Sequence, residues 1–283
     1  MTSLRSGSST RGRYADKTNV VNGSASIQTP GETRRFVLIA NPGAGDRASR
    51  GSRGGAAALA SVAGALRAAG FFVKTQITTG PGDAAHHAAQ AAKQGVDAVI
   101  AIGGDGTVHE VLNGLMAAAD YRRPQFGVVP TGTGNDFARQ LGLAPGDPLH
   151  AARILVRGNT RLVDVGHLDG LPESGPSHFC VAVGFGLLAA SVGGLKRSRL
   201  LPAKAAYFIA GLRALLSFQA PELNVTVDGV AREGRFMMVH VGLTHTTGGG
   251  YVLTPEAGPD TGHLHVNTVT ERGKLKGLLQ WPR

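Results

Sequence analysis

The chain has 283 residues, 42% of them hydrophobic and only 5% aromatic, with a formal net charge of +10 and a pI of about 10.3. That length accommodates two modest domains or one large one, and the basic excess points to an anionic partner: a nucleotide, an acidic membrane surface or nucleic acid, with a merely solvated basic surface as the alternative. One cysteine, Cys180, excludes an intrachain disulfide, and its apolar neighbours mark it as a buried, inert thiol.

The N-terminus lacks the apolar core of a signal peptide, and the apolar stretches Phe179–Val192 and Ala205–Leu216 are shorter than the roughly 20 residues of a spanning helix. A cytoplasmic protein that touches a membrane without crossing it is expected. Residues 1–34, rich in Ser, Gly, Thr and Arg, read as a disordered basic tail. Phe36–Ala40 is an apolar run typical of a strand buried on both faces, and it ends in the turn Asn41-Pro42-Gly43-Ala44-Gly45. Leu59, Val62 and Leu66 carry a helix over 56–69, stopped at Gly70. A strand is predicted over Phe71–Ile77, an Ala-rich helix over Asp83–Lys93, and a third strand over Asp97–Ile102. A helix bearing Val108, Val111, Leu112 and Leu115 follows a Gly-rich loop. A fourth strand at Phe126–Val129 leads through Pro130–Asp136 to a short helix, Phe137–Leu141.

Strands alternating with helices predict a doubly wound parallel sheet, so the fold class is α/β with a nucleotide-binding domain over 35–155. The turns after Ala40, Ile102 and Val129 each follow a strand and fall on one edge of that sheet, where ligands of such folds bind. Beyond residue 155 the short β candidates Arg161–Val165, Phe179–Val183, Leu223–Val227, Phe236–Val241 and Leu264–Val269, with the hairpin signal Asp228-Gly229, predict a second, mostly antiparallel domain over 156–283. One helix, about 203–218, interrupts them. No internal repeat is visible.

Gly103-Gly104-Asp105-Gly106-Thr107 lies between a buried strand and a helix. Its glycines bring backbone N–H groups close to a phosphate, and the helix terminus favours an anion. Asp105 would repel a bare phosphate; it suits a group that positions a metal or water or takes a proton from an attacking hydroxyl. A tight turn with an Asp cap is the alternative. Thr133 and Asn135 are placed to donate to phosphate or ribose oxygens, and Asp136 to cap its helix or to act in catalysis.

These motifs resemble one family. Asn41–Gly45, Gly82-Asp83-Ala84, Gly103–Thr107 with Glu110 and Asn113, and Gly132–Arg139 occur in the order and spacing of diacylglycerol-kinase-like proteins, which include bacterial diacylglycerol kinases, YegS-type lipid kinases, and ceramide and sphingosine kinases. The resemblance is dense in the first domain and looser in the second, where Gly248-Gly249-Gly250, Pro255 and Ala257 match. It implies transfer of a phosphoryl group from ATP, with Mg²⁺, to a lipid hydroxyl. It implies nucleotide contacts at Asn41, Thr78, Gly103, Gly104, Asp105, Gly106, Thr107 and Thr133, joined by Glu110 and Asn135. Asp83, Asp105 and Asp136 take the place of the functional carboxylates, and Asp260 that of a metal ligand. The lipid would lie in a cleft between the domains.

Departures from the family pattern open other readings. Asp260-Thr261-Gly262 stands where the family has Asp-Asp-Gly, Leu243 where it often has Asn, and Gly184-Phe185-Gly186 where it often has Gly-Phe-Asp. The family continues into strands carrying Asp-Gly-Glu with a catalytic Glu, whereas Asp228-Gly229-Val230 lies too early and lacks the acid. A truncated, divergent or inactive chain is therefore weighed beside the active one. The other readings are an NAD kinase-like enzyme and a catalytically impaired nucleotide- or lipid-binding protein. Nucleic acid is not expected, because interleaved basic and aromatic residues are missing. His86, His87, His245, His263 and His265 have no metal-ligand spacing and read as surface or packing residues. Lys196, Arg197, Arg199 and Lys204 flank the helix near 203–218 as a candidate contact with anionic lipid, or as a solvated face. The lipid and the oligomeric state have no readable signal.

Overall fold

The computed structural model describes residues 15–20, 33–44, 54–118, 123–170, 177–189 and 218–271. The expected helix near 203–218 and its basic cluster lie outside these residues.

The first sheet contains β1 (Ala15–Val20), β2 (Arg35–Ala40), β3 (Phe72–Ile77), β4 (Ala98–Gly103), β5 (Gln125–Pro130), β6 (Arg161–His167) and β7 (His178–Phe179). Their spatial order is β3-β2-β4-β5-β1-β6-β7. Strands β3, β2, β4 and β5 are parallel, while β6 runs antiparallel to β1, and β7 to β6. Among the described residues five helices accompany the strands: α1 (Gly55–Ala68), α2 (Asp83–Lys93), α3 (Asp105–Ala117), α4 (Asp136–Gln140) and α5 (Pro148–Arg157).

The parallel strands are apolar on both faces because both are covered. On β4, Ala98, Ile100 and Ile102 pack with Leu59, Val62 and Leu66 of α1 and with Leu155 of α5. The intervening Val99 and Ala101 pack with α2 and α3. Each fully buried Val, Leu or Ile contributes about 1.5–3 kcal/mol, so this two-sided core fixes the level of every strand end. The doubly wound α/β architecture expected from the sequence is thus present.

Helix α2 shows why the small residues matter. Its inner face is alanine, and Gly114 of α3 lies against it so closely that a methyl group there would overlap the Ala85 carbonyl. Helix α5 is an element the sequence reading omitted, though its signals are local. Asp147 caps it by accepting the His150 N–H at 2.8 Å, Pro148 opens it, and Gly158 closes it with φ +68°.

Two strand assignments differ from expectation. Ala15–Val20 lies within the segment expected to be a disordered tail, yet it pairs along its whole length with β6; backbone pairing needs no apolar side-chain pattern, which is why the polar sequence gave no sign of it. Arg161–Val165 and Phe179–Val183 were expected in the second, β-rich part. Instead β6 and β7 belong to the first sheet, and the chain leaves it at Cys180 to enter β8 (Ala182–Gly186) of the second.

The second sheet joins β8, β9 (Glu222–Val227), β10 (Val230–Gly242) and β13 (His265–Thr270). The long β10 pairs antiparallel with β9 through its first half and with β8 and β13 through its second. Asp228 and Gly229, with φ of +49° and +83°, form the two-residue turn of the β9–β10 hairpin. A small hairpin, β11 (Thr246–Thr247) and β12 (Tyr251–Val252), frames the triple-glycine run.

Candidate functional site

The turns after β2, β4 and β5 do meet at one rim. Asn41 donates its N–H to the Ile102 carbonyl at 3.0 Å, and Thr131 donates to the Gly103 carbonyl at 3.0 Å. These bonds lock the three strand ends together. The Asn41 side chain accepts the Gly43 N–H at 2.9 Å, and Gly55 lets the first turn of α1 rest on the Asn41 carbonyl, where a Cβ would collide. The buried Thr78 closes β3 against β2 by donating its N–H to the Ala40 carbonyl at 2.9 Å.

Two glycine turns touch backbone to backbone. A Cβ on Gly104 would stand 3.1 Å from the Gly132 Cα, and one on Gly134 would stand 2.7 Å from Asp105 Oδ2 and 3.5 Å from the Gly249 Cα. Gly103 lies against the buried Thr107 side chain. Helix α3 starts at Asp105, so the N–H groups of its first turn have no intrahelical acceptor and face the rim. Thr133 is exposed beside them. The rim is thus a run of closely apposed backbone with little side-chain bulk, the kind of surface that admits phosphates.

The carboxylates divide into those that hold the rim and one that differs. Asp83 Oδ2 accepts three hydrogen bonds in its own turn: from the Thr79 N–H at 2.8 Å, the Thr79 hydroxyl at 2.6 Å and the Gly80 N–H at 3.0 Å. The Thr79 hydroxyl bond, then the two amides, hold its pKa below the ordinary value. Glu110 Oε2, on α3, accepts the N–H groups of Gly82 and Ala84 at 3.1 and 3.2 Å and so caps α2 from a neighbouring helix. Asp136 is 2% exposed. It accepts the N–H groups of Gly249 and Gly250 at 2.7 and 3.0 Å, which latches the triple-glycine loop of the second part onto the rim. Gly248, Gly249 and Gly250 have φ of +70°, +91° and +111°, a left-handed run that residues with a Cβ rarely adopt.

Asn135 is 2% exposed and adopts φ +56°. Its amide group accepts from the Gly132 N–H at 3.0 Å and donates to the Gly132 carbonyl at 2.6 Å. That engagement ties the loop to itself.

Asp105 Oδ1 accepts the Phe137 N–H at 3.3 Å. Burial pushes its carboxyl above the ordinary carboxylate range and the Asp136 charge adds to the rise, while the N–H groups of Asn135, Asp136 and Phe137 oppose it. A partly buried acid of raised pKa beside an anion-friendly backbone is a candidate proton acceptor.

Asp260 lies elsewhere. It pairs with Arg161 at 3.1 Å, and among the described residues no three His, Cys, Asp or Glu side chains converge to hold a metal ion. Its loop is held by Asp164 of β6, which the sequence reading did not single out. Asp164 Oδ2 accepts the Gly262 N–H at 2.5 Å, and its Oδ1 is buried without a hydrogen-bond partner among the described residues. Cys180 is buried as expected, and burial pushes its thiol well above the ordinary value. Among the described residues no helix is long and apolar enough to cross a membrane.

Residues 35–168 match the diacylglycerol kinase catalytic domain, and residues 181–283 match the YegS C-terminal NAD kinase beta sandwich-like domain. The chain is 37% identical over 205 residues to a diacylglycerol kinase of Bacillus subtilis, covering 72% of this chain and 65% of that relative. It is 32% identical to a diacylglycerol kinase of Staphylococcus saprophyticus over 214 residues, covering 75% of this chain and 67% of the relative. A crystal structure of a diacylglycerol kinase from Bacillus anthracis superposes with a TM-score of 0.63 at 26% identity, covering 86% of this chain and 75% of that one. The chain thus spans just under two thirds of the length of the Bacillus subtilis relative.

Proposed function

The chain belongs to the diacylglycerol kinase catalytic-domain family, and on that premise we propose that it transfers the γ-phosphoryl group of ATP to the hydroxyl of a diacylglycerol-like or sphingoid lipid. The observation that carries the reading is the meeting of Gly104, Gly132 and Gly134 around Asp105. Phosphoryl transfer needs positioning and charge stabilisation more than covalent chemistry, and a rim of closely apposed backbone supplies both.

In this reading Gly103, Gly104, Gly106 and Gly132 admit the phosphates to the first turn of α3, with Asn41, Thr78, Thr107 and Thr133 shaping or lining the same rim. ATP supplies the phosphoryl group. Asp105 accepts the proton of the lipid hydroxyl, a task its raised pKa suits better than that of an ordinary carboxylate. Asp83, Glu110, Asn135 and Asp136 act as positioning residues, because each is engaged with backbone. Mg²⁺ usually keeps several waters and binds through phosphates and one or two carboxylates. Asp260 would hold such an ion only by giving up its pair with Arg161. The lipid would reach Asp105 from the side of the loop latched by Asp136, and the net charge of +10 favours docking on an anionic membrane surface.

The test is a labelled-ATP assay on a lipid panel, with NAD as a separate acceptor, run on this chain and on Asp105→Asn. Labelled lipid is expected, with roughly 10²–10⁴-fold less from the variant at unchanged circular dichroism. Label in NAD alone, ATP binding with no acceptor labelled, or a fully active variant would each refute the reading.

A further inference from the structure

The edge formed by β6 and β7 carries a second cluster, separate from the glycine rim. His167 ends β6 and His178 opens β7, and the two are register partners. Nδ1 of His167 faces Nε2 of His178 at 3.2 Å. Each ring is oriented through its other nitrogen: His167 Nε2 lies 3.0 Å from Asp169 Oδ1, and His178 Nδ1 lies 3.0 Å from Ser177 Oγ. The backbone beneath is fixed as well. Asn113 of α3 accepts the His178 N–H at 3.0 Å and donates to the His178 carbonyl at 2.9 Å.

The contact is a poor hydrogen bond between imidazoles. The ring centroids are 4.6 Å apart with planes at 46°; a straight N–H···N bond at the same nitrogen separation would hold the rings farther apart, so the contact is bent. Two nitrogens 3.2 Å apart, each at the roughly 2.0–2.1 Å that zinc takes from imidazole, subtend about 100° at the ion, near a tetrahedral angle. A carboxylate or hydroxyl on the far nitrogen is the usual device for orienting a metal-bound histidine.

We propose that His167 and His178 form a two-imidazole site for a divalent transition-metal ion of the zinc or nickel class, with water filling the remaining positions and Asp169 and Ser177 orienting the rings. Imidazole pairs select such ions over Mg²⁺ and Ca²⁺, which prefer oxygen. The bound ion would clamp β7 to β6 and, through Asn113, hold α3, the helix whose first turn forms the rim. The His167 side chain is 41% exposed, so the site opens to solvent.

The experiment titrates the tag-free full chain with Zn²⁺ against a chromophoric chelator and melts it with and without Zn²⁺. One equivalent that Mg²⁺ does not displace is expected, together with a rise in melting temperature, since an ion that binds the folded form stabilises it. His167→Gln and His178→Gln should each abolish that equivalent. Asp169→Asn, on a side chain 81% exposed, should leave the metal-free melting temperature unchanged and weaken binding about 10-fold or more. No such equivalent in the wild-type chain, one that survives both histidine substitutions, or wild-type affinity in Asp169→Asn would overturn the proposal.

Discussion

Replacing Asp136 with Asn tests how the two halves of the molecule are joined. The carboxylate accepts the N–H groups of Gly249 at 2.7 Å and Gly250 at 3.0 Å, one on each oxygen, in a buried setting. An amide has one acceptor, so one of the two N–H groups would face an NH₂. Hydrogen bonds to a charged group are worth about 1.5–3 kcal/mol each, and a stranded buried donor costs about 1–3 kcal/mol. Relief of the repulsion between Asp136 and Asp105 returns part of this. A net loss of roughly 3 kcal/mol is expected, which for a chain of this size corresponds to a fall of about 6–12 °C in melting temperature. Calorimetry gives the first measurement. Amide exchange gives the second, with Gly249 and Gly250 losing protection before the strands of the first sheet. A variant that melts within a degree of wild type, with both amides still protected, would refute the latch.

Asp105→Asn should melt no lower than wild type. The folded-state pKa of Asp105 is raised by burial, so its contribution to stability is fully present below the unfolded pKa and is lost as pH rises through the folded one; the advantage of the variant should therefore grow toward neutral pH and vanish in acid. Asp83→Asn should behave oppositely, because hydrogen bonds from Thr79 and Gly80 lower its pKa: destabilisation is expected at neutral pH and should disappear as pH falls through the folded value, read from melting curves across acid pH. Glu110→Ala removes the cap on α2 and should cost about 1 kcal/mol in urea unfolding. Gly114→Ala drives a methyl group into the Ala85 carbonyl and should cost about 1–3 kcal/mol, with the gap between α2 and α3 as the readout in a crystal structure.

What could be read from the sequence follows from what is local. Phe36–Ala40 and Asp97–Ile102 announce buried strands because covered strands must be apolar throughout. The glycine turns announce the rim because each follows such a strand. The latch is not local: Asp136 and Gly249 are 113 positions apart, and nothing in Asn135-Asp136 distinguishes a helix cap from a clasp on a distant loop. The triple glycine was legible as a family match, but its contact with Asp136 needed the fold. Likewise His167 and His178 face each other only because β7 turns back along β6. The surroundings of Asp260 are non-local for a related reason. Motif position identified the loop, but the partner of its acid, Arg161, lies on a strand distant in sequence.

The distribution of hydrogen bonds also narrows the chemistry. A general base must be free to take a proton and poised near working pH. Asp83 is held below its ordinary range by three donors on one oxygen, so it is the least suited to that role. Asp136 has a backbone N–H on each oxygen, and protonating it would break a bond that joins the two halves. Asp105 is approached by the N–H groups of Asn135, Asp136 and Phe137, yet burial leaves its pKa raised, and Gly134 backbone lies beside it. Its surroundings favour the protonated form, which is what a proton acceptor at the rim requires.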